Sequence, residues 1–320
     1  MNRVIRTDSV DPWRNLAVEE YLLDTIRKPT LYLWRNDRTV VIGRHQNAWA
    51  ECDLHELERI GGKLARRLSG GGAVYHDIHN LNFTFLMPKA VFDRARQTAV
   101  LLQAVQACGI RAEASGRNDL LVDGRKFSGH AFCVREETAY HHGTLLLDTD
   151  VETMVRVLQV DASKLASKAI RSVRSRVVNL CELAPGLTRE RMEAAVTAAF
   201  CREYGEAVTE DTAALPAEPV ERLREKYASW EWRFGETPAF DARMKMRFDW
   251  GGAEVQLTLR DAHVTKVRVY TDALDTALAE DAAARLTGTA YDPDSVRRAF
   301  ADAAGALREL GDWLAGEIPG

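Results

Sequence analysis

The sequence predicts an α+β protein: mixed or antiparallel sheets with packed helices in a large N-terminal domain, then a small α+β domain. Three observations lead there. The chain has 320 residues, enough for two domains of ordinary size. Its β-branched and aromatic runs come in hairpin-like pairs and do not alternate regularly with helices as a doubly wound sheet requires. Between residues 209 and 219 the composition turns to Thr, Ala, Glu and Pro with little periodicity, which reads as a connection. The division that follows is 1–210, a linker region over 211–229, and 230–320.

In chain order, Asp11 and Pro12 open a helix that continues through Leu16, Glu19, Glu20 and Leu23 toward Ile26. Asp11 suits the N-cap and Pro12 the first helical position. Residues 31–34 and 39–42, separated by Asn36 and Asp37, read as a hairpin. Strands are expected over 73–75 and 82–86. Residues 91–108 have helical spacing and stop at Gly109, a natural C′ residue. Residues 120–122, the turn Asp123-Gly124, and Lys126-Phe127 read as strand, tight turn and strand. A strand over 144–147 and helices over 154–160 and 190–204 complete the first domain. In the second, Met244, Met246 and Phe248 alternate with polar residues, Gly251-Gly252 turns the chain, and Val255, Leu257 and Leu259 alternate again. Val264, Val267 and Val269 supply a third strand, and helices over 274–286 and 293–314 close the unit.

Composition excludes several classes. With 46% hydrophobic and 28% charged residues the chain is that of a soluble globular protein. A net charge of −4 argues against a nucleic-acid-coating protein. No apolar run is long enough to cross a bilayer, and residues 1–8 do not form a signal-peptide core, so no membrane association and a cytoplasmic location are expected. The five cysteines are scattered with no Cys-x-x-Cys pair, as in a reducing compartment.

Four segments carry candidate chemistry. Arg66-Arg67-Leu68-Ser69-Gly70-Gly71-Gly72-Ala73-Val74-Tyr75-His76-Asp77 sets three glycines beside two arginines; it reads as a plain turn or as an anion-binding loop, without Walker or dinucleotide spacing. Around the Asp123-Gly124 turn, Asp119 could offer an oxygen to Mg²⁺, and Lys126 is either a solvated hairpin lysine or a mobile point charge in a pocket. His141 and His142 are neighbours on a strand and face opposite sides, one packed and one exposed. Lys164, Lys168, Arg171, Arg174 and Arg176 make 163–179 locally basic, suiting a solvated face or a lid over phosphates.

Together these segments resemble lipoate–protein ligase A, of the biotin/lipoate ligase superfamily. The resemblance rests on Asp11-Pro-Trp-x-Asn-Leu-Ala-Val-Glu-Glu20, Trp34-Arg-Asn36, Thr39-Val-Val-Ile-Gly-Arg-x-Gln-Asn47, the run 66–77, Ala114-Ser-Gly-Arg-Asn-Asp-Leu120, Arg125-Lys-x-Ser-Gly129, 141–147, 172–177, and Trp230-Glu-Trp-x-Phe-Gly-x-x-Pro-x-Phe240. It covers nearly the whole chain in order.

The resemblance implies a catalytic domain over 1–210 and an accessory domain over 230–320 that moves between two half-reactions. Lipoate and ATP, with Mg²⁺, would give lipoyl-AMP and pyrophosphate; the lipoyl group would then pass to a lysine ε-amine of an acceptor. Implied acceptors are the lipoyl domains of 2-oxoacid dehydrogenase E2 subunits and the glycine cleavage H protein, with the ligase a monomer. By the same resemblance Lys126 is catalytic. Arg67, Gly72, Ala73, Val74, Tyr75, Asn118, Lys126 and Lys168 contact ATP or the adenylate. Gly70, Gly71, Lys126 and His142 border lipoate, and Asp119 holds the metal. An octanoyl or lipoyl transferase using an acyl-protein donor, with Cys133 as a thioester candidate, and a non-catalytic lipoate- or nucleotide-binding protein are the alternatives.

Overall fold

The computed structural model describes every residue except 116–118, 159–174, 236–238, 272, 274, 276 and 319–320. The chain divides into two units, Met1–Arg44 with Glu51–Ser229, and His45–Ala50 with Trp230–Gly320.

In the first unit, β1 (Asn2–Arg6) leads to α1 (Pro12–Thr25), β2 (Thr30–Trp34) and β3 (Thr39–Ile42). Then come β4 (Lys63–Arg66), β5 (Val74–His76), β6 (Asn80–Pro88) and α2 (Arg94–Ala107). The strands β7 (Glu113–Ser115), β8 (Asp119–Val122), β9 (Arg125–Val134) and β10 (Thr138–Leu146) precede α3 (Arg189–Tyr204), β11 (Ala207–Asp211) and α4 (Ala217–Ala228).

Eight strands make one sheet, β11–β1–β2–β6–β10–β9–β8–β7. β1 runs parallel to β11 and to β2, and the remaining pairs are antiparallel, so the sheet is mixed. A second sheet, β4–β3–β5, pairs β3 parallel to β4 and antiparallel to β5. The hairpin expected over 31–42 does not exist, because β2 and β3 belong to different sheets. The Asn36-Asp37 connection carries the chain from one layer to the next, and local turn chemistry cannot reveal that.

Strand alternation sorts the large sheet's faces. Leu31, Leu33, Phe83 and Phe85 pack with Val100, Leu101 and Val105 of α2 and Met192, Val196 and Phe200 of α3 in the main core. Trp34, Thr84 and His142 face the other way, where Thr84 and His142 bond to Glu19 of α1. Pro12 is the first residue of α1, as expected. Asp11 stands at the N-cap without a capping side-chain bond; its carboxylate accepts from Lys63 and Arg224 instead, each at 3.0 Å. The segment 211–229, expected to be a linker, holds α4 and belongs to the first unit.

The second unit is an antiparallel sheet, β12 (Phe240–Phe248), β13 (Gly251–Arg260) and β14 (His263–Thr271), with α5 (Leu278–Leu286), α6 (Pro293–Ala299) and α7 (Gly305–Glu317). Val255, Leu257, Leu259, Leu286, Val296 and Leu314 build its core. The single helix expected over 293–314 is two, α6 and α7, with a break at 300–304. The chain turns at Asp249-Trp250, ahead of Gly251-Gly252, which already lie in β13. Trp49 stacks on Phe234 and Tyr291 with ring centroids 5.1 and 5.0 Å away, which ties 45–50 to this unit. Among the described residues no helix is long and apolar enough to cross a membrane.

Candidate active site

A cavity of about 200 Å³ opens in the first unit, lined by strands of both of its sheets. Burial grades along its lining. Lys126 and Asp119, with side chains 40% and 42% exposed, mark the mouth together with exposed Gly71 and Gly72. Leu16, Trp34, Val41, His76 and Asn82, all buried, mark the closed end. The cavity is therefore a slot, edged at the solvent by the Lys126–Asp119 ion pair and lined elsewhere by buried side chains.

Lys126 reaches this slot because of a β-bulge. β8 and β9 pair Asp119 with Gly129 and Leu120 with Ser128, but Leu121 with Lys126, so Phe127 is an extra residue. Without it, alternation would turn Lys126 to the face opposite Gly129 and Ala131. The bulge restores it to the cavity face, and Phe127 enters the main core. Asp123 and Gly124, at φ 50° and 73°, make the tight turn between the strands. The backbone of Lys126 is pinned as well: its N–H donates to the Arg176 carbonyl at 2.8 Å and its carbonyl accepts from Val178 at 2.9 Å. Its ammonium pairs with Asp119 at 2.8 Å.

The glycine run joins β4 to β5. Gly71 is its left-handed residue, at φ 93°. A Cβ on Gly43 would lie 2.2 Å from the Gly71 carbonyl oxygen, so the loop's approach to the end of β3 requires glycine there. Arg67 holds the loop from beneath. Its guanidinium donates to Ser69 Oγ and to the carbonyls of Val41, Gly70 and Gly72, at 2.8 to 3.3 Å. Burial lowers its pKa to about 10, still charged at neutral pH. Arg67 lines the cavity, yet most of its donors are engaged in shaping the loop.

On the inner wall, His142 lies between Ser69 Oγ at 2.8 Å and Glu19 at 2.9 Å. Glu19 also accepts from Thr84, whose hydroxyl accepts from the Trp34 indole. His141 faces the other side of the sheet, as alternation requires. Both histidines are nevertheless buried, contrary to the expectation of one exposed ring, because β10 is covered on both faces. His141 meets Gln97 of α2 at 3.0 Å, and burial holds its pKa well below the usual value.

Of the residues singled out by sequence, Lys126, Asp119, Arg67, Gly71, Gly72, Ala73, Val74 and His142 line one cavity. Gly70 does not line it and contributes its carbonyl to Arg67. The Tyr75 side chain is also absent from the lining: Val74 and His76 on either side of it face the slot, so Tyr75 points away. Asn118 and Lys168, and most of the expected basic lid, lie outside the described residues. Sequence reasoning missed His76, Asn82, Trp34 and Glu19. The first could have been found by continuing the alternation from Val74; the others depend on pairing between strands far apart in sequence. Among the described residues no three His, Cys, Asp or Glu side chains gather as a metal site.

The first unit thus joins a mixed sheet, a slot with a lysine at its mouth, and a glycine loop on an adjoining sheet. Residues 11–201, more than half of the chain, match the family described as the lipoyl protein ligase A/B catalytic domain, and 237–309 match the bacterial lipoate protein ligase C-terminus. The chain belongs to the lipoate–protein ligase family. It is 26% identical to Plasmodium falciparum LipL1, solved in complex with lipoate, with 99% of this chain and 100% of that chain covered and a TM-score of 0.66. It is also 26% identical to a chain from a structural study of a bipartite lipoate protein ligase and its E2 lipoyl domain from Thermoplasma acidophilum, covering 73% of this chain and 96% of that one, TM-score 0.67. A lipoate-protein ligase A solved with ATP shares the fold at 24% identity and TM-score 0.64, covering 73% of this chain and 99% of that one.

Proposed function

We propose that the protein is an ATP-dependent lipoate–protein ligase working in two steps. A lipoate carboxylate oxygen attacks the α-phosphorus of ATP; the carboxyl–phosphate bond forms as the bond to pyrophosphate breaks. The ε-amine of an acceptor lysine then attacks the acyl carbon of lipoyl-AMP, the bond to AMP breaks, and the amine loses its proton to give the amide.

The observation that carries this reading is the Lys126 ammonium at the mouth of an enclosed slot, beside the loop 71–74. Bringing two anions together needs fixed positive charge that offsets their repulsion and the charge that develops. Lys126 supplies it without forming a covalent bond. The enclosed end takes the acyl chain, and the glycine loop offers backbone approach to the nucleotide. Asp119 fits Mg²⁺ in the way such ions are commonly held, by one carboxylate with waters and phosphate oxygens; bound there, the ion would offset phosphate charge. The nucleotide contacts given to Asn118 and Lys168, and the accessory role of 230–320, rest on the resemblance. The acceptors we assign are E2 lipoyl domains and the H protein, in keeping with the E2 lipoyl domain named beside the archaeal ligase.

The transferase alternative would use Cys133 as a thioester nucleophile. Cys133 does not line the cavity, and burial pushes its thiol up to about 11, leaving little thiolate at neutral pH. Both points speak against it.

Incubation with Mg-ATP and lipoate should release pyrophosphate, and mass spectrometry of an acceptor domain should then show the lipoyl adduct. Lys126→Ala should keep the fold and lower pyrophosphate release by at least ~100-fold, as loss of a preorganised charge does. Near-normal release from a folded variant would remove Lys126 from the mechanism.

A further inference from the structure

The sheet of the second unit turns one face to its core and the other to solvent. Val255, Leu257 and Leu259 of β13 enter the core, so Glu254, Gln256, Thr258 and Arg260 face outward. Register places Asp241, Arg243, Lys245 and Arg247 of β12 on the same outer face. Lys266, Arg268 and Tyr270 of β14 join them because of a bulge. Thr258 pairs with Lys266 but Leu259 with Val264, so Thr265 is an extra residue, and its hydroxyl donates to the Thr258 carbonyl at 2.9 Å. Without it, alternation would set Lys266 and Arg268 on the core face with Val264.

This outer face is basic in a chain whose formal net charge is −4. Arg243, Lys245, Arg247, Arg260, Lys266 and Arg268, all exposed, stand there against two carboxylates, Asp241 and Glu254. Glu254 pairs with Arg243 at 2.8 Å and accepts from Gln256 at 2.7 Å. Arg243, Lys266 and Arg268 line a hollow of about 410 Å³ across the three strands. Gathered like charges raise a positive potential that draws an anionic surface and is relieved when one covers it. A nucleic acid is the weaker fit. The two carboxylates interrupt the cation rows, and Tyr270, 52% exposed, is the one aromatic ring on this face among the described residues, where strand binding stacks bases on rings in succession. An acidic protein surface suits both signs, since the amines it carries meet Asp241 and Glu254.

We infer that the outer face of β12–β13–β14 is a docking surface for the acceptor domain, which meets it with an acidic surface. This rests on the proposed reading of the chain as a ligase whose second substrate is a protein. Activation of the acid does not involve that face; capture of the acceptor does. Charges at the surface of an interface act chiefly on the rate of encounter and on its salt dependence, so the face sets how fast the acceptor is taken up.

The test follows lipoylation of a purified apo E2 lipoyl domain by the full chain with Mg-ATP and lipoate, and separately pyrophosphate release without acceptor. Lys266→Glu combined with Arg268→Glu should lower kcat/KM for the lipoyl domain by at least ~10-fold, the scale of electrostatic steering, and leave acceptor-free pyrophosphate release unchanged. The parent's kcat/KM should fall between about 0.05 and 0.5 M salt, and the variant's should fall less. As a control, Arg297→Glu with Arg298→Glu removes the same charge from α6 and should stay within about twofold of the parent. An unchanged kcat/KM in the folded face variant, an equal loss in the control, or an equal loss of acceptor-free pyrophosphate release would each overturn the inference. So would fluorescence anisotropy showing that the parent binds a single-stranded oligonucleotide and the face variant does not, with lipoylation the same in both. Should the Glu variant fail to fold, Lys266→Gln with Arg268→Gln decides, at about threefold. No lipoylation by the parent would overturn the ligase reading itself, an outcome distinct from a change in kcat/KM.

Discussion

Gly129 is small for the sake of a neighbour's side chain. It has no left-handed φ to protect, but a Cβ there would lie 3.0 Å from both Cε and Nζ of Lys126. The clash involves the end of a flexible side chain, so relief comes by moving the ammonium, with the backbone undisturbed. Gly129→Ala should leave the melting temperature within about 2 °C of the parent, yet lower pyrophosphate release by ~10-fold or more, because misplacement on the order of 1 Å is that damaging. Equal release from parent and variant would show that the ammonium's position at Gly129 is unimportant. Sequence exposes the Ser-Gly pair after Lys126; it does not say that the glycine is a seat for the lysine, because that contact depends on the bulge.

At the scale of elements, the bulge and α4 are two of the features the sequence hid. One extra residue in β9 leaves no mark in the hydrophobic pattern, since Phe127 looks like an ordinary inward residue whichever way the strand pairs. The segment holding α4 sets Val220, Leu223 and Tyr227 at i, i+3 and i+7, a helical spacing among Glu, Arg and Ala that the Thr-, Ala-, Glu- and Pro-rich run just before it masked. Ion pairs fasten it. Lys226 donates to both carboxylate oxygens of Glu20 in α1 at 2.9 and 2.8 Å, and Arg224 pairs with Asp11 at 3.0 Å. Glu20 is 8% exposed in its side chain and also meets Arg135. Lys226→Ala should destabilise the protein by about 2 kcal/mol in urea unfolding, below the value for a fully buried pair because Lys226 is partly solvated and Arg135 remains. A change under about 0.5 kcal/mol would make α4 a passive strap, since that is the scale of an ordinary surface substitution.

Across the whole molecule, buried histidines tie stability to pH. Burial lowers His76 to about 3 and holds His141 well below its ordinary value, and desolvation with the nearby Lys126 charge lowers the half-buried His130 to about 4. In the unfolded chain these rings bind protons near pH 6.5. Between about pH 6.5 and 4 the unfolded state therefore holds protons that the folded state refuses, and stability rises with pH. The stability is fully present above pH 7 and is lost as the pH falls, by up to ~1.4 kcal/mol per pH unit for each ring. Thermal unfolding should show a plateau above pH 7 and a steady fall in Tm from 6.5 toward 5. A flat Tm across that interval would mean the rings are protonated inside the fold.

The two-unit α+β plan and the Asp123-Gly124 turn were readable from the sequence, because turn chemistry and alternation act over a few residues; residue patterns alone left the glycine run and Lys126 open between a plain turn with a solvated lysine and a binding loop, and only the family resemblance joined them. Which sheet each strand joins was decided only by tertiary pairing. That pairing sent β3 away from β2, packed 217–228 as a helix, turned Tyr75 out of the slot and His76 into it, and buried both His141 and His142. Contacts of this kind join residues distant along the chain, and their free energy comes from packing and amide networks that no local pattern encodes.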